Sequence, residues 1–258
     1  MTTTTITVVV AILTPMSNVS FLTAMRLADS FLPVGTYTAS YGIEQYVNEG
    51  RVDTAEELGE LIEGYLRQII GPADTVALAN AHRAAAVSSF DGVIEADELL
   101  HAATLPAEFR RSSTKGGHKL LELLGDTDPL LFDGAGVVDS DSSDGVAATY
   151  ADAVEAGETP GTYPVVLGVV AQAAEIDRMA ACLVGAYSFV TELLGAAQRL
   201  GRFGHTDIQA QLRRLLSVVE AVCSEYADAG LDELTSFSPF AEIMGMAHER
   251  ADRRLFMS

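Results

Sequence analysis

The chain has 258 residues, 36 of them acidic and 16 basic, for a formal net charge of −20. A surface this acidic repels phosphate, which argues against nucleic acid or an anionic membrane as the main partner. An apolar share of 48% argues equally against an acidic disordered chain. What remains is a soluble, acidic, well-cored globular protein, long enough for one large domain or two small ones. Two lysines against 14 arginines, with acids in excess, also match the surface of a halophile's proteins, which would explain the charge without giving it a function.

In chain order, residues 1–19 read as an N-terminal tail, with alternative starts at Met16 and Met25. Its apolar run Ile6–Leu13 is far short of the roughly 20 residues that span a bilayer, and the first basic residue is Arg26, so no secretory leader is predicted. Residues 20–258 read as a single all-α domain, a helical bundle of about eight to ten helices. Thr54-Ala-Glu-Glu57 is a capping-box sequence. The stripe Leu58, Leu61, Ile62, Tyr65, Leu66, Ile69 and Ile70 then predicts a helix that stops near Gly71-Pro72. Ala73–Val87 and Ala96–Ala103 are shorter helix candidates, and Leu120–Leu124 belongs to another.

Residues 125–163 are rich in Gly, Asp, Ser and Thr, and from Leu120 to Asp177 there are 12 acids and no base. This stretch reads as an exposed acidic loop insertion. Pro164 to about Leu200 predicts one or two helices in the middle of the bundle. Thr206, with Gln209 as box partner, opens a helix whose stripe runs from Ile208 through Leu212, Leu215, Leu216, Val219, Val222 and Cys223 to Tyr226. Ser238-Pro239 starts a last one, with Phe240, Ile243, Met244 and Ala247 on one face. No strand pattern occurs outside the N-terminal tail. Cys182 and Cys223 are too few for a disulfide framework and fall in apolar helical stretches, which fits a cytoplasmic protein.

Catalytic and metal signatures fail on spacing. Asp139, Asp141 and Asp144 lack the glycine and the terminal glutamate of a calcium loop. Lys115-Gly-Gly-His-Lys119 lacks the upstream glycine and strand of a phosphate-binding loop. Glu98-Leu-Leu-His101 has no second copy to complete a di-iron set, and His248-Glu249 is followed by Asp252 where a zinc protease needs histidine. The five histidines stand singly. No enzyme class, cofactor or metal is therefore predicted.

Four segments carry more information than helix and turn rules require. They are Leu32-Pro-Val-Gly-Thr-Tyr37-Thr-Ala-Ser40-Tyr-Gly-Ile-Glu44, then Glu108-Phe-Arg110-Arg-Ser-Ser113-Thr-Lys-Gly-Gly117-His-Lys-Leu120, whose Arg110, Arg111, Lys115 and Lys119 also read as a basic helix face, then Pro164-Val-Val-Leu-Gly168. The fourth is the C-terminal His248-Glu249-Arg250-Ala-Asp-Arg253-Arg254-Leu255-Phe256-Met-Ser258. In this order they resemble the signature segments of UreF, a family of urease accessory proteins, over about Leu27–Ser258. His205 departs from the family's usual glutamine, and Thr36 stands where Gly or Ala is usual.

The resemblance implies an all-α, dimerising, non-enzymatic protein. It implies a complex with UreD (also called UreH) and the GTPase UreG that delivers nickel to apo-urease. It assigns partner docking to His248, Glu249, Arg250, Arg253, Arg254, Leu255 and Phe256, a second partner surface or the dimer face to Tyr37, Ser40 and Glu44, and a partner-binding role to Glu108 and Arg110. Two alternatives stay open on the residues alone. One is an unrelated all-helical regulatory or ligand-binding bundle with the Pro164–Leu200 helices as a pocket wall. The other is an enzyme built on scattered acids such as Asp29, Asp74 and Glu108.

Overall fold

A computed structural model describes residues 16–34, 41–132 and 145–236, with Ser238 and Ile243. These residues form helices throughout, with no strand among them. The all-α expectation holds. Of the expected C-terminal helix from Ser238-Pro239, most lies outside the described residues.

Local signals set most boundaries. Helix α1 (Asn18–Leu27) starts where Ser17 Oγ accepts the amide of Ser20 at 3.0 Å. Helix α2 (Ile43–Asn48) follows Gly42, whose φ of 78° only glycine adopts freely. Helix α3 (Ala55–Tyr65) opens on the expected capping box: Thr54 Oγ1 accepts from the Glu57 amide at 3.1 Å and Glu57 Oε2 accepts from the Thr54 amide at 3.1 Å.

The predicted stop at Gly71-Pro72 does not occur. The rod continues through a π-helical segment, Leu66–Thr75, straight into helix α4 (Val76–Ala86), with helical backbone angles at both junctions. Proline ends an α-helix because its ring meets the carbonyl four residues back and it has no N–H to donate. The wider π turn moves that carbonyl away. The carbonyl of Pro72 itself accepts from the Thr235 amide at 3.0 Å, which ties this turn to the chain after α10. Gly71 faces helix α10 (His205–Tyr226) so closely that a Cβ there would lie 2.6 Å from Val222 Cγ1. The apolar stripe that begins at Leu58 therefore carries on, buried, through Leu66 and Ile70.

Helices α5 (Phe90–Ala103) and α6 (Ala107–Thr127) follow. The acidic stretch beyond them is more structured than its composition predicts. Within its described part, helix α7 (Val146–Glu155) buries Tyr150 and Val154, and Thr159 and Thr162 are buried in the turn after it. The Pro164–Leu200 region forms two helices, α8 (Tyr163–Ala173) and α9 (Arg178–Arg199), the second capped by Asp177 on the Ala180 amide. Helix α10 begins one residue before Thr206, with Gly204 as its N-cap and no side-chain cap, so the expected Thr206–Gln209 box is not formed. His205 instead hydrogen-bonds to Gln198. Leu216 of the predicted α10 stripe points outward.

Helix α8 is the centre. Pro164 to Ala171 are all buried, and α8 packs against α4, α6 and α9. Gly168 sets the α4–α8 approach: a Cβ there would be 2.4 Å from the Leu78 carbonyl oxygen. Helix α9 is long and apolar enough to cross a membrane by length and composition, but about half of it is buried in the bundle, as in a core helix.

One buried carboxylate fastens the α7–α8 connection. Asp97 on α5 is fully buried and accepts from Tyr150 OH, Thr159 Oγ1, the Gly161 and Thr162 amides and Thr162 Oγ1, at 2.5–2.9 Å. Two of those donors lie at the N-terminal end of α8, where the helix's unpaired amides favour an anion. Asp97 thus holds the N-cap residue of α8 from another helix, and five neutral donors replace the water its charge has lost.

Candidate functional site

Three of the four signature segments meet at one joint, beside a small internal cavity. From the first comes Tyr41, from the second Phe109, Ser112 and Ser113, and from the third Pro164 and Leu167, with Tyr163 just before it. The π segment contributes Ile70, Asp74 and Thr75, and α9 contributes Cys182, Ser188, Phe189 and Glu192. Tyr41 is the hinge of the arrangement. Its φ is 45°, a left-handed conformation that is strained for a bulky residue. It is held there by its ring, whose centroid lies 4.8 Å from that of Phe109 and 5.1 Å from that of Phe189, edge-on to the latter. It is held also by its carbonyl, which accepts from Tyr65 OH at 2.7 Å. Tyr65 in turn stands 6.1 Å from Phe189. The Tyr163 amide donates to Ser113 Oγ at 3.2 Å, which ties the start of α8 to α6.

The cavity has about 40 Å³ open to the centres of water molecules, room for a few waters. Its polar lining is unusual for an interior. Ser188 Oγ, on a residue only 7% exposed, has no hydrogen-bond partner among the described residues and faces this space. Burial alone pushes the Asp74 carboxyl up to about 7, since taking a carboxylate out of water disfavours its charged form. Burial, with Asp74 and Glu192 nearby, also raises the Tyr41 hydroxyl far above its ordinary value; burial and Glu192 do the same to Tyr163. Burial pushes the Cys182 thiol up to about 12, so it is no nucleophile at neutral pH. A second, open groove on the far side of Tyr163, Ser188 and Glu192 is lined by Asp29, Thr191, Gln198 and Gln209.

The predicted site residues divide sharply. Glu44 and Glu108 are buried, at 6% and 3% exposure. They were expected on a partner surface; in the fold they can shape such a surface only from behind. Arg110 turns back on its own chain and donates to the Thr104 and Leu105 carbonyls at 2.6 Å each, closing the α5–α6 corner. Tyr37 and Ser40, and all of His248, Glu249, Arg250, Arg253, Arg254, Leu255 and Phe256, lie outside the described residues. Asp29, Asp74 and Glu108, grouped in sequence as scattered acids, do not assemble: Asp74 faces the cavity and Asp29 the groove behind it. Among the described residues no group of three or more His, Cys, Asp or Glu side chains could hold a metal ion. Sequence reasoning missed Asp97, Ser188 and the strain at Tyr41. The Gly42 that follows Tyr41 was the only local signal for the last.

A profile of the UreF family matches residues 52–216. The chain is 31% identical over 235 residues to the urease accessory protein UreF of Trichodesmium erythraeum, covering 91% of this chain and 95% of that one. It is 31% identical over 234 residues to urease accessory protein UreF 1 of Brucella melitensis, covering 91% of each. It is 30% identical over 232 residues to the urease accessory protein UreF of Yersinia enterocolitica, covering 90% of this chain and 95% of that one.

Proposed function

The chain belongs to the UreF family of urease accessory proteins, a non-catalytic family that serves urease maturation, and from that premise we propose that it bridges UreD (UreH) to the GTPase UreG for GTP-dependent nickel insertion into apo-urease. It does so in the cytoplasm, as a homodimer. Nickel is cargo in this scheme, and the chain's own residues supply surfaces rather than ligands. The observation that supports a scaffold best is the joint at Tyr41. Three segments distant in sequence are locked together by aromatic contacts and a strained backbone, without a reactive side chain at their centre. A rigid joint of this kind fixes the angle between surfaces. The small cavity beside it has room for only a few waters.

Docking is assigned to the C-terminal His248, Glu249, Arg250, Arg253, Arg254, Leu255 and Phe256. Three arginines and a Leu-Phe pair offer charged hydrogen bonds together with an apolar anchor. Tyr37 and Ser40 border the joint in sequence and are assigned to a second partner surface, with Glu44 and Glu108 buttressing it and Arg110 fixing the neighbouring corner. The test is co-expression with the UreD and UreG of the same organism. Truncation before His248 should abolish co-purification, and a strain lacking the gene should make urease protein without nickel. An intact complex after truncation refutes the docking assignment. Normal urease activity in the deletion strain refutes the function.

A further inference from the structure

The scarce positive charges of this chain are not all used to pair its many acids. Seven ion pairs of the described residues engage Arg26, Arg51, Arg67, Lys119, Arg178, Arg202 and Arg214. Arg111 and Lys115 are both exposed on α6, and neither side chain takes part in an ion pair or hydrogen bond among the described residues; the Arg111 backbone carbonyl accepts from Thr114 Oγ1 at 3.2 Å. They stand at i and i+4, where like charges repel on a helix surface. Lys119, one turn further on, extends the stripe but is engaged with Glu122 at 2.5 Å. The chain's only two lysines thus lie on one edge of one helix. A protein with 36 acids leaves two adjacent bases facing solvent against their mutual repulsion.

The ligand class follows from the backbone. Lys115-Gly-Gly-His-Lys119 looks suited to phosphate, but it lies in the middle of a 21-residue α-helix, where each amide is already bonded one turn back, so no cradle of free N–H groups exists. The glycines serve packing: both are buried, and a Cβ on Gly117 would sit 2.1 Å from the Gly161 carbonyl oxygen. Duplex nucleic acid needs a broad positive surface, which a net charge of −20 opposes. Carboxylates on a short acidic segment need only one arginine fork and one ammonium at helical spacing. We propose that the Arg111–Lys115 edge of α6 is a docking surface for an acidic segment of a partner protein. Its residues are not those assigned to C-terminal docking above, and the proposal stands or falls independently of the urease complex.

The test is a titration of the full ¹⁵N-labelled chain with an octaglutamate peptide, followed by amide shifts. Shifts should centre on α6 around residues 111–115 and vanish as salt rises from about 0.1 M to about 1 M, where the Debye length falls to about 3 Å. The double variant Arg111→Glu/Lys115→Glu should bind about tenfold more weakly or not at all, a tenfold change being the scale of a few lost charge contacts. Arg213→Glu, at an exposed base on α10, should bind as the parent does. If the double charge reversal impairs folding, as judged by circular dichroism, Arg111→Gln/Lys115→Gln takes its place. Absence of shifts, shifts scattered over the chain, or equal binding by the double variant overturns the proposal. So does tighter binding of tripolyphosphate or a DNA duplex at the same amides, which would make this an anion or nucleic-acid site instead.

Discussion

Replacing Asp74 with asparagine isolates a half-buried carboxyl that faces a cavity without a cationic partner among the described residues. Burial raises it from the ordinary 3.8 to about 7, so the folded chain holds this proton far more tightly than the unfolded chain does. Between those two values the unfolded state has lost the proton while the folded state keeps it. Stability therefore falls as pH rises through that window, and the penalty is complete above about pH 7. At about 1.4 kcal/mol per pH unit the gap corresponds to about 4 kcal/mol. The half-buried position beside a cavity with room for water weakens part of it, so about 2–4 kcal/mol is the expected range.

Asparagine keeps the shape and removes the charge. Asp74→Asn should therefore gain little over the parent at about pH 4 and about 2–4 kcal/mol by pH 8. The assay is urea unfolding followed by far-ultraviolet circular dichroism, on both proteins at matched pH and salt. Glu192, Tyr41 and Tyr163 line the same cavity in both proteins, so their contributions largely cancel in the difference. An advantage that stays flat from pH 4 to pH 8, or shrinks as pH rises, refutes the account of Asp74 as a carboxyl held neutral by burial.

The remaining predictions concern the frame around the joint. Asp97→Asn sets an NH₂ against groups that now donate to a carboxylate, and should cost about 2–4 kcal/mol in urea unfolding while the Gly161 and Thr162 amides lose hydrogen-exchange protection. Gly168→Ala puts a Cβ 2.4 Å from the Leu78 carbonyl, so α4 and α8 must separate, at about 2–3 kcal/mol and a lowered thermal midpoint. Gly64→Ala has open space within 4 Å and a helical backbone, so it should raise the midpoint by the equivalent of about 0.5–1 kcal/mol.

What the sequence reveals here depends on how far apart the interacting residues lie. The α3 capping box spans residues 54–57, and the stripe from Leu58 repeats within each turn, so both are readable from neighbours alone. Pro72 misled because the stop rule assumes α geometry; at this site the chain takes a wider π turn instead. Asp97 was illegible because its donors are 53–65 residues away and sit in a stretch whose composition suggests a loop. Thr206 and Gln209 have a capping pattern, but the helix gains its first turn one residue earlier.

The same distance rule sorts the signature segments. Glu44 and Glu108 are charged residues on helices, which sequence reasoning places at the surface, and yet both are buried beside the joint. A buried glutamate needs partners fixed by the whole fold, and Glu44 and Glu108 each have such interactions. Arg110, Ser113 and Tyr41 behave alike: each hydrogen-bonds to another part of the chain, through side chain or carbonyl, and sets an angle there. Most of the motif residues that can be placed thus form the frame of this protein, while Arg111 and Lys115, inside the second segment, face outward on α6. A scaffold built this way tolerates wide change in its surface acids, because what it must keep is the relative orientation of α2, α6 and α8 around Tyr41. Partner affinity can then be tuned on separate surfaces without disturbing the joint.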